Sequence, residues 1–255
     1  MYQADLCIGC GCCKTGCPTG ALTDVGQEFS VEKLANLLCR DRIVFDTSGG
    51  GVTLSGGEVM AQDMRYILPL CMSLKHRGIS VMVDTCGHVP YDRFEQINPY
   101  VDTYLYDLKM MNEVEHKAYT GVDNRLILSN LEKLSADGAR IILRIPIIPG
   151  VNDGEEETEA AISFCMTSTR VRRINLLPYH HIGSHKAGRL CASPPWLAAN
   201  NSGGSTVDQK QKGTSPSQEK RQQFAEFKEP TEQLMSELRE LWLAAGCEEV
   251  LVGGE

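Results

Sequence analysis

Two rhythms of apolar residues alternate along the chain. Short runs rich in β-branched and aromatic residues give way to stretches whose apolar positions recur every three or four residues. That alternation predicts parallel βα units. Runs at 51–54, 79–84, 101–109, 140–146, 173–179 and 250–252 read as strands. Ser30 is a helix N-cap ahead of Val31, Leu34, Ala35 and Leu38, which share one face. A helix is predicted over 58–77, kinked at Pro69 and closed by Gly78, with a short one after Pro90. Another runs from about 125 to Gly138. Asp153 and Glu156 read as a capping pair for a helix through Cys165. A last helix, 231–245, is expected to turn Leu234, Leu238, Leu241 and Trp242 inward.

These five to six units either curl into a partial barrel or lie as an open sheet. In both cases a ligand belongs at the carboxyl ends of the strands. The rhythm stops at 191–228, where polar, Gly- and Ser-rich sequence reads as an insert without a core.

Composition narrows the function classes. At 255 residues, 42% hydrophobic and 23% charged, the chain is built like an ordinary soluble globule. A net charge of −8 without a basic block argues against nucleic acid and anionic membranes as partners. The longest apolar stretch, 141–151, is broken by Arg144, Pro146 and Pro149, and the first residues show no secretion signal. Eleven cysteines are many, and five of them lie between residues 7 and 17. One metal centre in a reducing cytoplasm fits this distribution better than a disulfide scaffold. Cys39 and Cys71 fall on apolar helix faces, where a thiol acts as a small hydrophobe.

The run Cys7-Ile-Gly-Cys10-Gly-Cys-Cys13-Lys-Thr-Gly-Cys17-Pro has the C-x2-C-x2-C-x3-C-P spacing of a bacterial ferredoxin 4Fe–4S loop. Its glycines permit the tight turns that wrap a cube. The bland alternative is a zinc knuckle or a disulfide set, although zinc sites usually pair two separated C-x2-C units. In two-cluster ferredoxins the fourth cysteine serves the other cube, so Cys12 and Cys17 both stay open as the last ligand.

The strand-end rule selects Gly56, Gly57, Glu58, Asp84, Thr85, Asp107, Lys109, Arg144 and His180. Glycines let a ligand lie against backbone, and Glu58 suits an ammonium group. A phosphate loop is disfavoured by that same acid and by the lack of Gly-Lys-Ser/Thr. Carboxylates crowded at one rim need a cation, and surface salt bridges are the bland alternative. Arg144, a charge inside an apolar strand, needs either a carboxylate ligand or a core ion pair. Both charge signs and a bare backbone together suit a zwitterionic small molecule.

Six motifs fall in an order that resembles the glycyl-radical-enzyme activating enzymes, pyruvate formate-lyase activase-like members of the radical S-adenosylmethionine (SAM) superfamily. They are Ser48-Gly-Gly-Gly-Val-Thr-Leu-Ser-Gly-Gly-Glu58, Asp84-Thr-Cys-Gly87, Tyr106-Asp-Leu-Lys109, His116 with Thr120-Gly121 and Asn124, Arg144-Ile-Pro-Ile-Ile-Pro-Gly150-Val-Asn-Asp153, and Leu177-Pro-Tyr-His180. Val59 stands where the family usually has proline. The cysteine run resembles the ferredoxin insert of the larger subgroup.

The resemblance implies a partial (β/α) barrel in an α/β fold and an oxidoreductase of anaerobic metabolism. Reductive cleavage of S-adenosyl-L-methionine gives a 5′-deoxyadenosyl radical, which takes a glycine Cα hydrogen from a partner glycyl radical enzyme. A flavodoxin- or ferredoxin-type protein would donate the electron. By motif position Gly56, Gly57 and Glu58 would hold the methionine amine. Lys109, with Arg144 and His180 near it, would meet the carboxylate or the rest of the cofactor. Asp84, Thr85 and Asp107 match a monovalent-cation site. Cys7, Cys10, Cys13 and Cys17 would hold an auxiliary cluster.

The implied organisation is a ferredoxin-like segment (1–24), the barrel (25–190), the insert (191–228) and a closing helix and strand (229–255). The family's catalytic C-x3-C-x2-C spacing occurs nowhere in these 255 residues. Motif order puts it, a companion ferredoxin run and a first strand upstream of residue 1. The chain is therefore expected to be an N-terminally shortened activase. The alternative is a noncatalytic iron–sulfur or partner-binding remnant.

Overall fold

The computed structural model describes residue 8 and residues 10–21, 26–180 and 227–253. They fall into two units. One is Met1–Glu28 with His180–Phe227, and the other is Phe29–Tyr179 with Lys228–Glu255.

The second unit is an α/β unit built on a six-stranded sheet. Its strands are β1 (Gly51–Leu54), β2 (Ser80–Thr85), β3 (Thr103–Asp107), β4 (Ile141–Ile147), β5 (Arg173–Pro178) and β6 (Glu249–Val252). They pair in chain order, every pair parallel. Among the described residues β1 and β6 are the edges, so the sheet is open. Gly51 sits against β2 so closely that a Cβ there would stand 2.2 Å from the Ser80 carbonyl oxygen.

The sheet has one dry face. β4 alternates buried Ile141, Leu143, Ile145 and Ile147 with half-buried Ile142, Arg144 and Pro146. Helix α2 (Val31–Leu38) packs on α4 (Met64–His76), and the dry face shares its core with α4, α5 (Asp92–Ile97), α7 (Arg125–Ala136), α8 (Glu155–Ser168) and α9 (Glu232–Ala244). The fully buried Phe94, Leu74, Leu131, Leu134 and Trp242 form its centre. Cys71 and Cys165 are buried among them, and burial pushes their thiols up to about 11 and about 12.

Local signals held at many ends. Ser30 accepts from the Lys33 N–H at 3.3 Å, as a cap should. Gly78, at φ +72°, closes α4, and Ile79 N–H returns to the Leu74 carbonyl. Elsewhere the structure corrects the reading. The stretch 58–77 is not one helix. A 3-10 turn at Val59–Ala61 ends at extended Gln62, and α4 starts afresh with Asp63 capping Arg65 N–H at 2.9 Å. Asp153 and Glu156 do not form a capping pair: Asp153 accepts from Gly150 N–H at 2.7 Å, and Gly154 is the N-cap of α8. Three glutamates in its first turn complement the helix dipole instead. Leu241 is 51% exposed, because the inward stripe of α9 runs through Met235, Leu238 and Trp242. Cys39 caps the end of α2 and is only half-buried.

Two helices carried no apolar stripe to read. They are α3 (Arg42–Ser48), which buries nothing, and α6 (Glu113–Thr120), which buries only His116. Nearly all of the 191–228 insert lies outside the described residues. Among the described residues no helix is long and apolar enough to cross a membrane.

Candidate active site

The half-buried face of the sheet ends in a row of polar groups. Beyond β1 the chain turns through Ser55, Gly56, Gly57 and Glu58. Gly56 has φ +135°, a backbone state that side chains rarely adopt. Both glycines are exposed, and a Cβ on either would meet nothing within 4 Å. A ligand therefore has free access to bare backbone.

Glu58 is turned inward and fully engaged. Its Oε1 accepts from Met60 N–H at 3.0 Å and from the Thr85 hydroxyl at 2.8 Å, and its Oε2 accepts from Cys86 N–H at 2.8 Å. It ties the turn after β1 to the end of β2. Thr85 also accepts from Gly87 N–H at 3.0 Å. Burial, with Glu58 beside it, raises the Cys86 thiol above its usual value.

Asp84 and Asp107 close β2 and β3, and Arg144 pairs in register with Asp107 across β3 and β4. The guanidinium reaches both acids. Its Nε and Nη2 donate to Asp107 Oδ1 at 2.9 and 2.7 Å, and Nη2 also donates to Asp84 Oδ1. Ser55 donates to Asp84 Oδ2 at 2.8 Å, and Lys109 Nζ donates to Asp107 Oδ2 at 3.2 Å. Of the two readings of Arg144, the core ion pair is the one formed. The three charged side chains are about one-fifth exposed, at 19% and 21%, and Lys109 is more open at 40%.

Polar side chains fix the chain after β3. Asn152 donates to the carbonyls of Lys109 and Pro146 and accepts from Ile148 N–H. Asn124 donates to the carbonyls of Met110 and Met111. Glu157 accepts from the N–H groups of Met111 and Asn112. His116 bonds the Val122 carbonyl through Nδ1 at 2.7 Å, so it shapes the turn rather than facing a ligand. Ser55, Asn152 and Glu157 were missed as site residues because each works through a contact distant in sequence.

Of the expected set, the structure gathers Glu58 with Thr85, and Asp84, Asp107, Lys109 and Arg144 with one another. His180 is exposed and falls in the first unit. So do the cysteines of the run. Gly11, at φ +73°, opens the short helix α1 (Cys12–Thr15); Cys10, Cys12 and Cys13 are exposed and Cys17 is half-buried. The Cys12 backbone amide, and then its thiol, hold the exposed Cys10 thiol below its usual value. Cys7 lies outside the described residues. The donors suit an iron–sulfur cluster chemically, but no three His, Cys, Asp or Glu among the described residues are gathered to hold a metal ion.

The Radical SAM superfamily model matches residues 7–162. The trans-4-hydroxy-L-proline dehydratase activating enzyme of Clostridioides difficile is 45% identical over 168 residues, which cover 65% of this chain and 55% of that protein. The choline trimethylamine-lyase activating enzyme of Oleidesulfovibrio alaskensis is 37% identical over 225 residues, covering 74% of this chain and 72% of that protein. Against the first, then, the chain spans little more than half the relative's length. Among solved structures, a domain of a pyruvate-formate lyase-activating enzyme from Bacteroides vulgatus shares the fold, with TM-score 0.58 and 22% identity over 81% of this chain and all of that one. The chain belongs to the radical SAM superfamily and, within it, to the glycyl-radical-enzyme activating enzymes.

Proposed function

We propose that this chain binds S-adenosyl-L-methionine along the carboxyl ends of β1–β4 and serves the activation of a glycyl radical enzyme. One observation carries the reading. A bare glycine backbone, an acid that fixes it and an ordered row of charges meet at the ends of neighbouring parallel strands. Gly56 and Gly57 present backbone to the methionine ammonium group. Glu58 supplies the compensating charge and holds those glycines against β2. Lys109, the most open cation of the row, is placed for the carboxylate. Arg144 acts through Asp84 and Asp107. By motif position, His180 is assigned to the rest of the cofactor.

In this family a reduced 4Fe–4S cluster supplies the electron that cleaves the sulfonium to methionine and a 5′-deoxyadenosyl radical. The 255 residues of this chain hold no C-x3-C-x2-C set for it. Residues 1–24 are assigned to an auxiliary cluster through Cys7, Cys10, Cys13 and Cys17. The partner is a glycyl radical enzyme, and the electron donor is a flavodoxin or ferredoxin.

The second reading is a noncatalytic module that binds cofactor or partner without radical chemistry. Two measurements separate them. Calorimetry of this chain with S-adenosylmethionine is expected to show saturable binding, lost in a Glu58→Ala variant; no binding would refute both the site and its function. Anaerobic reconstitution with iron and sulfide, followed by strong reductant, tests chemistry. Catalytic 5′-deoxyadenosine excludes the noncatalytic module, and binding without product supports it.

A further inference from the structure

We infer that Arg144 is the built-in cation of this rim: its guanidinium fills the place of the monovalent metal ion that the family pattern assigns to Asp84, Thr85 and Asp107. The donor atoms of such a site are already committed. Asp84 gives Oδ1 to Arg144 and Oδ2 to the Ser55 hydroxyl. Asp107 gives Oδ1 to two nitrogens of Arg144 and Oδ2 to Lys109. The Thr85 hydroxyl donates a hydrogen bond to Glu58 and accepts one from Gly87 N–H. An alkali-metal ion entering here would displace charge-assisted bonds and sit beside a guanidinium of like charge.

Charge balance points the same way. Asp84 and Asp107 are cancelled by Arg144 and Lys109, which leaves Glu58 as the uncancelled charge of the row. S-adenosylmethionine carries one net positive charge, from an ammonium, a sulfonium and a carboxylate. The row is thus complementary to the cofactor without a metal, and an added monovalent cation would remove that complementarity. A planar fork suits this duty. Nε and Nη2 take one oxygen of Asp107 while Nη2 also reaches Asp84 on the far side of β3, which a lysine ammonium does less well.

This inference rests on the proposed cofactor site, but its first test does not need the cofactor. Thermal unfolding of the ligand-free chain is followed in KCl, NaCl and tetramethylammonium chloride at equal ionic strength. The wild-type midpoint is expected to agree in all three within about 1 °C, and Arg144→Gln to melt lower in tetramethylammonium and regain several degrees in KCl or NaCl, since a ligand that binds only the folded state raises the midpoint. Arg144→Lys, which keeps a charge, should lie between and serves if the glutamine variant does not fold. A wild-type midpoint raised specifically by an alkali metal, or variants indifferent to it, would overturn the inference. Calorimetry with S-adenosylmethionine in the same salts then gives wild-type affinities within about twofold of one another, whereas roughly tenfold tighter binding in KCl or NaCl overturns the inference. Failure to bind in every salt refutes the cofactor site alone, because the melts still decide the role of Arg144.

Discussion

Gly87→Ala tests how tightly the end of β2 is built. Gly87 has φ +74°, and a Cβ there would lie 1.8 Å from Tyr106 Oη, 2.2 Å from Cζ and 2.9 Å from Cε2. Tyr106 has no room to retreat. It is fully buried, and its hydroxyl donates to the Ile127 carbonyl at 2.7 Å. Three costs add. Alanine in the left-handed region costs roughly 1–2 kcal/mol. Forcing a methyl into a packed core costs about 1–3 kcal/mol. Losing the Tyr106 hydrogen bond costs about 1 kcal/mol more. The total, about 3–6 kcal/mol, is a large part of the roughly 5–15 kcal/mol that stabilises a typical domain. Gly121→Ala is the internal control. Its φ is +91° but nothing lies within 4 Å of the new Cβ, so it bears only the backbone strain. Urea unfolding followed by circular dichroism compares the two. If Gly87→Ala is no more than about 1 kcal/mol less stable than Gly121→Ala, Tyr106 does not press on Gly87 and the reasoning fails.

Other changes probe separate links. Glu58→Gln puts an amide NH2 against one of three donors and is expected to cost about 1–3 kcal/mol in thermal unfolding; a neutral result would contradict the inward carboxylate. Asn124→Ala strips two carbonyls of their donor, so the amides of 108–112 should exchange faster with deuterium while β4 stays protected; unchanged exchange would show that Asn124 does not hold this segment. Alkylation at neutral pH, read by mass spectrometry, should reach exposed Cys10, Cys12 and Cys13 and spare Cys71 and Cys165, whose thiols are pushed up to about 11 and about 12; equal labelling would exclude the buried placement. Burial acts to raise the Asp102 carboxyl, but the Lys75 ammonium and Val81 N–H outweigh it and its pKa is lowered. Its stabilisation is therefore present above the unfolded-chain pKa and lost as pH falls through the lower folded value. The pair is more than one-third exposed, at 40% and 34%, so the effect is below about 1 kcal/mol. Asp102→Asn should flatten the acid limb of a melting-temperature profile by that amount, and an identical limb would refute the pairing.

The sheet was legible because each strand is a dense apolar run, and α2, α4, α7 and α9 carry a stripe wide enough to see, whereas α8 has almost none. Helix α6 was invisible because its one buried residue, His116, is polar. The break at Gln62 was hidden because Asp63 caps from inside an otherwise helical pattern. At the site, strand ends alone picked out Glu58, Asp84, Asp107, Lys109 and Arg144. Their partners were a different matter. Arg144 needed a counter-charge on sequence grounds, but whether that charge was a ligand or the protein's own acids depends on register across β2, β3 and β4. Glu157 lies 46 residues from Met111 in sequence, yet it fixes the Met111 and Asn112 N–H groups, and only packing reveals it.

The strictly sequential strand order has a consequence for how the molecule opens. Each strand's backbone hydrogen-bonds only to its immediate neighbours, an array in which, among the described residues, β1 and β6 have one partner each. Such an array breathes from its ends, and hydrogen exchange should be slowest in β3 and β4 and faster toward β1 and β6. The glycine turn that follows β1 therefore hangs from an end of the array, while the charged row beyond it is anchored in the middle. Fraying of the first strand would loosen the glycine turn without disturbing the acids and arginine of the row.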